Sequence, residues 1–261
     1  MDLFILVAMG AIAGVLAGLL GIGGGIIIVP VLALVLSGQG VSPQVVMHIS
    51  IGTSLATIVT TSLSSIRAHQ KRKTIKWSVF RRITPGILVG ALLGALIAEA
   101  LAGNILRIAF ACFMLLVALQ MALSKQPPPH RQLPAKFGMG LAGLVIGTIA
   151  SLMGVGGGSM SVPFLTWCNI AVRNAVATSA AIGLPIAVSG AAGFILMGWG
   201  SSDLPPWSAG YVNLPAYLGI VIASTAFAPV GAALAHRLPP MVLKRFFSAF
   251  LLLLAIRLFF N

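Results

Sequence analysis

Acidic residues are nearly absent from this chain: Asp2, Glu99 and Asp203 are the only three in 261 residues. Charged residues of both signs make up 7% of it, against about 25% in soluble domains. Apolar residues make up 59%, and the mean hydropathy is +1.08. A soluble fold could not cover that much apolar surface with so few charges, so the expected solvent is lipid. Cysteine is equally scarce. Cys112 and Cys168 stand apart in apolar runs, form no CxxC or metal pattern, and read as small buried apolar residues. His48, His69, His130 and His236 are scattered rather than clustered. No metal or cofactor is expected. Without a His/Asp/Glu/Cys constellation to activate a nucleophile, an enzyme is not expected either.

Acid scarcity leaves a net charge of +13 from 16 Lys and Arg. In a soluble protein that balance would suggest nucleic acid. Here the basic residues are confined to short loops, where orientation in the membrane accounts for them. Nucleic acid is therefore not an expected partner, whereas the lipid bilayer is. The first apolar run is followed by many more, so it does not read as a cleaved signal peptide.

Glycine, by contrast, is abundant and placed with purpose. Leu19 to Pro30 reads Leu-Leu-Gly-Ile-Gly-Gly-Gly-Ile-Ile-Ile-Val-Pro, with glycines at Gly21, Gly23, Gly24 and Gly25. The pattern returns 133 positions later, at Gly154, Gly156, Gly157 and Gly158, followed by Pro163. Aligning Gly10–Leu32 with Gly143–Leu165 gives 11 identities in 23. Thr53-Ser54 matches Thr178-Ser179, Gly94 matches Gly231, and Leu106-Arg107 matches Leu243-Lys244. Glycine-broken apolar segments at matching positions of two halves mark a transporter binding site. The expected domains are a first repeat (residues 1–124), a proline-rich basic linker (125–136) and a second repeat (137–261).

In each half an apolar arm leads into the glycine loop. The second arms, Ile26 to Leu36 and Ser159 to Val172, are short; eleven residues reach about 16 Å, against a hydrocarbon core of about 30 Å. Longer runs follow at 45–66, 83–102, 104–124, 175–198, 214–235 and 240–260, with Pro85 expected in a first helical turn. If each broken segment enters and returns on one side, the halves are inverted. Fourteen basic residues then face the cytoplasm, only Arg107 and Arg257 lie at outer ends, and all three acids fall outside. If each broken segment crosses once, the halves are parallel and Arg173, Arg237, Lys244 and Arg245 lie outside. The positive-inside rule favours the first arrangement. The expected fold is an all-α polytopic membrane protein of two inverted repeats, each a re-entrant, glycine-broken helical hairpin plus three transmembrane helices. Arms extended through the glycines would give ten helices instead of eight.

A break at membrane depth leaves amide groups that must be buried in protein or face a wet cavity. Glycine allows positive φ and close approach of a ligand to the backbone. The second arm starts at the loop, so its free N–H groups and positive dipole end make an anion site without a charged side chain. The candidate substrate-binding residues are Gly21, Gly23, Gly24, Gly25, Thr53, Ser54, Gly154, Gly156, Gly157, Gly158, Ser159, Thr178 and Ser179. Pro30 and Pro163 are the candidate hinges. Ser159 and Ser161 stand where the first loop has Ile26 and Ile28, so the two sides of the site are expected to differ. The bland alternative for each Thr-Ser pair is a hydroxyl bonded back to its own helix. Gly10, Gly14, Gly18, Gly90 and Gly94 are spaced by four and read as helix-packing residues. His48 and Arg173 precede the Thr-Ser pairs at matching positions, as flanking interfacial residues or anion attractors. With Glu99 only at the outer end of its run and no carboxylate deeper in any span, a proton relay or a carboxylate-bound Na⁺ is not expected, and an anion is the better cargo.

The two loop-proline motifs and the two Thr-Ser pairs resemble the TauE/SafE family of sulfite exporters, over essentially the whole chain. That resemblance implies movement of sulfite, sulfoacetate or related organosulfonates across a cytoplasmic membrane, generally bacterial. Ser50, in His48-Ile49-Ser50-Ile51-Gly52, departs from the small residue expected there. The functional expectation is a secondary transporter of small anions working by alternating access. The alternatives are a passive anion channel and a non-transporting scaffold subunit. A homodimer is compatible with the sequence.

Overall fold

The computed structural model describes residues 24–123, 132–201, 203–235 and 240–260, together with Ala11 and Val15. Gly10, Gly14, Gly18, Gly21, Gly23, most of the expected linker, His130 and His236 lie outside the described residues. Among the described residues nine helices follow one another: α1 (Gly25–Gly38), α2 (Pro43–Lys71), α3 (Trp77–Ala100), α4 (Gly103–Leu123), α5 (Lys136–Leu152), α6 (Gly158–Trp167), α7 (Val172–Met197), α8 (Leu214–Ala235) and α9 (Pro240–Phe260). A two-residue antiparallel ladder, β1 (Ser208–Ala209) with β2 (Val212–Asn213), precedes α8. Among the described residues, α2, α3, α4 and α7 are long and apolar enough to cross a membrane.

Helix boundaries depart from hydropathy at three places. The expected loop 67–82 is largely helical: α2 runs on to Lys71, and α3 already starts at Trp77. His69 and Lys71 occupy the last turn of α2, where cations suit the carbonyl end of the dipole. Pro85 therefore sits inside α3, not in its first turn. The short arm after the second glycine loop stops at Trp167, five residues early, and Val172 begins α7. Asn169 ends that arm with φ +63° while Ile170 N–H bonds back to Leu165 O at 3.0 Å, as Gly40 (φ +76°) and Val41 do for α1.

The enclosed helices are α2 and α7, 78% and 61% buried over their most apolar stretches, against 39% and 28% for α3 and α4. They pack on each other, and α1 and α6 pack on α2 and α7 respectively. Helix α4 lays Leu106, Phe110, Met114 and Ala118 against Phe247, Leu251, Ala255 and Leu258 of α9, each set recurring every three or four residues. Ser248 Oγ donates to Ala118 O at 2.9 Å across that seam. On α3 the opposite face, including Leu88, Val89, Leu92, Leu93, Leu96 and Ile97, is exposed. Such a face is what lipid covers. Cys168 is buried as expected, but Cys112 is exposed on α4, because its face of that helix turns away from the seam.

Helices α3 and α5 meet backbone to backbone. A Cβ on Gly86, Gly90 or Gly94 would collide with the carbonyl oxygens of Gly140, Leu144 and Thr148 in turn. Gly143 and Gly147 meet Ile83 O and Ile87 O in return. The packing role read for Gly90 and Gly94 is thus what the structure shows, and small residues here let helices approach where lipid offers no hydrophobic drive. Gly90→Ala is expected to destabilise the detergent-purified protein by roughly 1–3 kcal/mol through overpacking. Leu116→Ala, on an exposed face, is expected to stay within about 0.5 kcal/mol. Thermal unfolding of the two variants side by side checks this.

Candidate functional site

The second glycine loop is built from two helix ends. Gly154 has φ +62°; its N–H bonds to Ser151 O at 3.0 Å, and Val155 N–H bonds to Ala150 O at 2.9 Å. That pair of bonds terminates α5 as a Schellman motif, which needs a left-handed residue. Three residues on, Gly157 caps α6, and its carbonyl accepts Ser161 N–H at 2.8 Å. Gly24 plays the same part for α1, accepting Ile28 N–H at 2.9 Å. Pro30 and Pro163 each lie at the sixth residue of these helices. Proline there removes the donor that would satisfy Ile26 O and Ser159 O.

Positive φ explains only Gly154 among the described loop glycines; Gly24 and Gly157 are right-handed, at φ −63° and −60°. Space explains others. A Cβ on Gly25 would stand 2.5 Å from Gly154 O and 3.0 Å from Val155 Cα, so the two loops meet there. A Cβ on Gly157 would stand 2.8 Å from Ser179 O. Gly156 is different: its nearest neighbour would be Ile58 Cγ2 at an ordinary 3.7 Å. Gly158 is the first residue of α6.

Three of the four hydroxyls of the Thr-Ser pairs bond to other elements instead of their own helix. Thr53 Oγ1 accepts the Asn213 N–H at 3.0 Å, and Thr178 Oγ1 accepts the Lys76 N–H, also at 3.0 Å. Ser54 Oγ donates to Gly154 O at 2.8 Å. Ser179, matching Ser54, is fully buried, and its hydroxyl has no partner among the described residues. The loop residue that matches Gly154 is Gly21, outside the described residues. Both threonines are therefore engaged by backbone amides, whereas Ser179 is unspent.

Around the second loop more hydroxyls are unspent. Ser159 and Ser161, in the first turn of α6, have buried oxygens without partners among the described residues, and so does Ser151 at the end of α5. A Cβ on Gly183 would come within 3.0 Å of Ser62 Oγ and 3.5 Å of Gly157 N, so the missing side chain leaves a small cradle between α2, α7 and the loop amide. In the first half the equivalent positions are Ile26, Ile28 and Ile58, all buried and apolar. Ile58 Cδ1 packs at 2.8 Å from where a Gly25 Cβ would lie. Polarity and space have thus been gathered at the second loop and filled with isoleucine at the first. Hydropathy singled out neither Ser62 nor Gly183, because a lone serine or glycine in an apolar run carries no periodic signal; the Ile58–Gly183 mismatch in the repeat alignment is the clue that could have found them.

The flanking pair separates. Arg173 is exposed on α7. His48 is buried, Nε2 facing Ala98 O at 2.9 Å and Nδ1 facing Gln44 O at 3.1 Å, with the Tyr211 ring 5.0 Å away. Tyr211 lies outside the spans, and burial, followed by its bond to Glu99, pushes its hydroxyl up to about 12. It stays protonated at physiological pH and donates to the Glu99 carboxylate. Glu99 is the penultimate residue of α3 and exposed, so it adds no charge to the glycine-loop region. Among the described residues no group of three or more His, Cys, Asp or Glu is placed to hold a metal.

Apolar helices with lipid-facing surfaces, wrapped round a break lined by amides and hydroxyls, define an integral membrane transporter. The chain belongs to the sulfite exporter TauE/SafE family, whose match spans residues 6–258. It is 38% identical to a "Probable membrane transporter protein" of Haemophilus influenzae over 98% of both chains. A Methanocaldococcus jannaschii "Probable membrane transporter protein" is 29% identical, over 95% of this chain and 91% of its own. YunE of Bacillus subtilis, named in the same words, is 32% identical over 62% of this chain and 67% of its own. No solved structure matches the chain. A bacterial inner membrane fits this membership.

The glycines of the loops are expected to differ in tolerance. Gly154→Ala places a side chain at left-handed φ, a cost of roughly 1–2 kcal/mol, and Gly25→Ala forces the loops apart. Gly156→Ala has room. Melting temperatures should fall for the first two and hold for the third; an equal fall for Gly156→Ala would contradict the loop geometry.

Proposed function

We propose that the protein is a secondary transporter of small oxyanions, sulfite or an organosulfonate, working by alternating access between two inverted repeats. The observation that carries the reading is the one-sided polarity of the second loop. The N-terminus of α6 lies there, and the elements that meet at it carry the hydroxyls of Ser159, Ser161 and Ser179, buried and without partners among the described residues, and no carboxylate. A helix N-terminus attracts an anion through free N–H groups and its dipole. Hydroxyls complete an oxyanion's shell at low desolvation cost and leave the site neutral once it departs. In this reading the anion sits at Gly157, Gly158, Ser159, Ser161 and Ser179, with Ser62 and Gly183 shaping the space. Gly24, Gly25, Gly154 and Ser54 hold the two loops together, and Pro30 and Pro163 free carbonyls and allow the short arms to bend. Gly21 and Gly23 are assigned to the first loop by their motif alone.

The repeats are supported by matched spacing. Helices α1 and α6 start 133 residues apart, and α3 and α4 start 137 residues before α8 and α9. Inversion and re-entrant arms rest on the charge distribution and on the ten-residue length of α6. A sulfur oxyanion as cargo is supported by the family's name. A channel would use the same loops, and current far above carrier turnover would favour it.

The test separates binding from folding. Removing an unpartnered buried hydroxyl takes no bond from the empty protein, so Ser161→Ala plus Ser179→Ala should melt no lower than wild type. The same variant should lose about tenfold or more in oxyanion affinity, since hydrogen bonds to charged groups contribute about 1.5–3 kcal/mol each. Thermal-shift titrations with sulfite, sulfate, thiosulfate and methanesulfonate, followed by flux into proteoliposomes, measure both. Unchanged affinity and flux in the folded double variant would remove the site from this loop.

A further inference from the structure

Two short segments enter the helix bundle in the same way. Lys73-Thr74-Ile75-Lys76 precedes α3, and Gly210-Tyr211-Val212-Asn213 precedes α8, 137 residues later. Each opens on a left-handed residue, Lys73 at φ 52° and Gly210 at φ 54°. Thr74 and Ile75 in the one, and Tyr211, Val212 and Asn213 in the other, are buried although they belong to connections. Each last residue hands its backbone N–H to a threonine across the protein: Asn213 to Thr53, Lys76 to Thr178, both at 3.0 Å. The receiving surfaces match as well. Tyr211 O lies over Gly52, whose Cβ would collide with it, and Ile75 packs on Ala177 and Ala181. Gly52 and Ala177 each directly precede the threonine.

The exchange is reciprocal. Thr53 lies before the linker and holds the segment after it; Thr178 lies after the linker and holds the segment before it. A reciprocal pair of this kind is the signature of a two-fold relation. Under the inverted-repeat reading the two segments lie on opposite faces. The first contains Lys73 and Lys76, follows Lys71 and Arg72, and faces the cytoplasm by the positive-inside rule; the second has Asp203 as its nearest charge in sequence and Glu99 against Tyr211 in space, and faces outside.

We propose that these segments are the two gates of the transporter and that Thr53 and Thr178 are positioning residues, each latching the gate of the other half. With both bonds made, the protein is closed to both faces. Releasing Thr53 from Asn213 opens the outer path, and releasing Thr178 from Lys76 opens the inner one. One backbone hydrogen bond is a suitable latch: strong enough to bias a population severalfold and weak enough to break in each cycle. The Thr-Ser recurrence then divides its labour, threonine on the gate and serine on the glycine-loop side. The proposal rests on the inverted-repeat transporter reading above.

The test is sided accessibility in the full chain. In a Cys112→Ala, Cys168→Ala background, Ser159→Cys reports from the second loop to a membrane-impermeant methanethiosulfonate reagent. Right-side-out and inside-out vesicles give the two faces. Thr53→Val should raise the external labelling rate about fivefold, the equivalent of one hydrogen bond of about 1 kcal/mol, and leave the internal rate unchanged. Thr178→Val should do the reverse, and Thr→Ser at either site should restore the parent rates. If a valine variant does not assemble, Gly52→Ala, which pushes on Tyr211, and Ala177→Val, which pushes on Ile75, must give the same sided rises. Rates that change on both faces together, on one face for both variants, or not at all in folded protein overturn the latches. Thermal shift of the unlabelled protein by sulfite and methanesulfonate is read separately. A shift without sided labelling leaves the anion site standing and removes the gates, whereas sided labelling without a shift keeps the gates and removes the anion reading.

Discussion

Backbone amides in hydrocarbon must find partners, and the breaks beside Gly24 and Gly157 put that requirement at the centre of the protein. Each unsatisfied group there costs several kcal/mol. The remainder of the fold can be understood as the means of meeting it. Gly154 and Val155 turn their N–H groups back on Ser151 and Ala150. Ser54 crosses from α2 to take the Gly154 carbonyl. Helices α2 and α7, the most enclosed of the long helices, wall the loops off from lipid. Helices α3, α4, α5 and α8 then pack around that pair, with α3 and α5 brought to backbone contact by glycine.

Once that accounting is done, what is left over is informative. The first loop is packed with Ile26, Ile28 and Ile58. At the second, Ser159, Ser161 and Ser179 keep hydroxyls without partners among the described residues, and Gly183 keeps a gap beside Ser62. On the proposed reading, the first copy of the loop serves structure and the second a ligand. An orphaned buried hydroxyl costs about 1–3 kcal/mol, a cost that a bound oxyanion would remove. On the proposed reading, the same energy that destabilises the empty site favours the loaded one.

Hydropathy and spacing made much of this legible. Lipid as solvent, the paired loops, the packing role of Gly90 and Gly94, and membership of a transporter family all follow from patterns within a few residues of one another. Boundaries were less legible. Arg81 and Arg82 are polar yet helical, and Pro85 lies inside α3, because a helix continues wherever neighbours or solvent satisfy its side chains. Positive φ, expected of the loop glycines in general, is confined among the described ones to Gly154. Gly25 and Gly157 answer to the closeness of another backbone, which no local pattern encodes.

What the sequence by itself determined is the solvent, the two breaks and their repetition, since apolar content and glycine act through the chain's own local free energy. What only the tertiary structure decided is which polar atoms remain available. Thr53 and Thr178 look like ligand hydroxyls in sequence but accept amides from Asn213 and Lys76, 160 and 102 positions away. Ser179, indistinguishable from Ser54 by neighbourhood, is the one without a partner among the described residues. A hydroxyl's partner is set by whichever distant backbone the packing brings within 3 Å, and that distance is a property of the assembled helices alone.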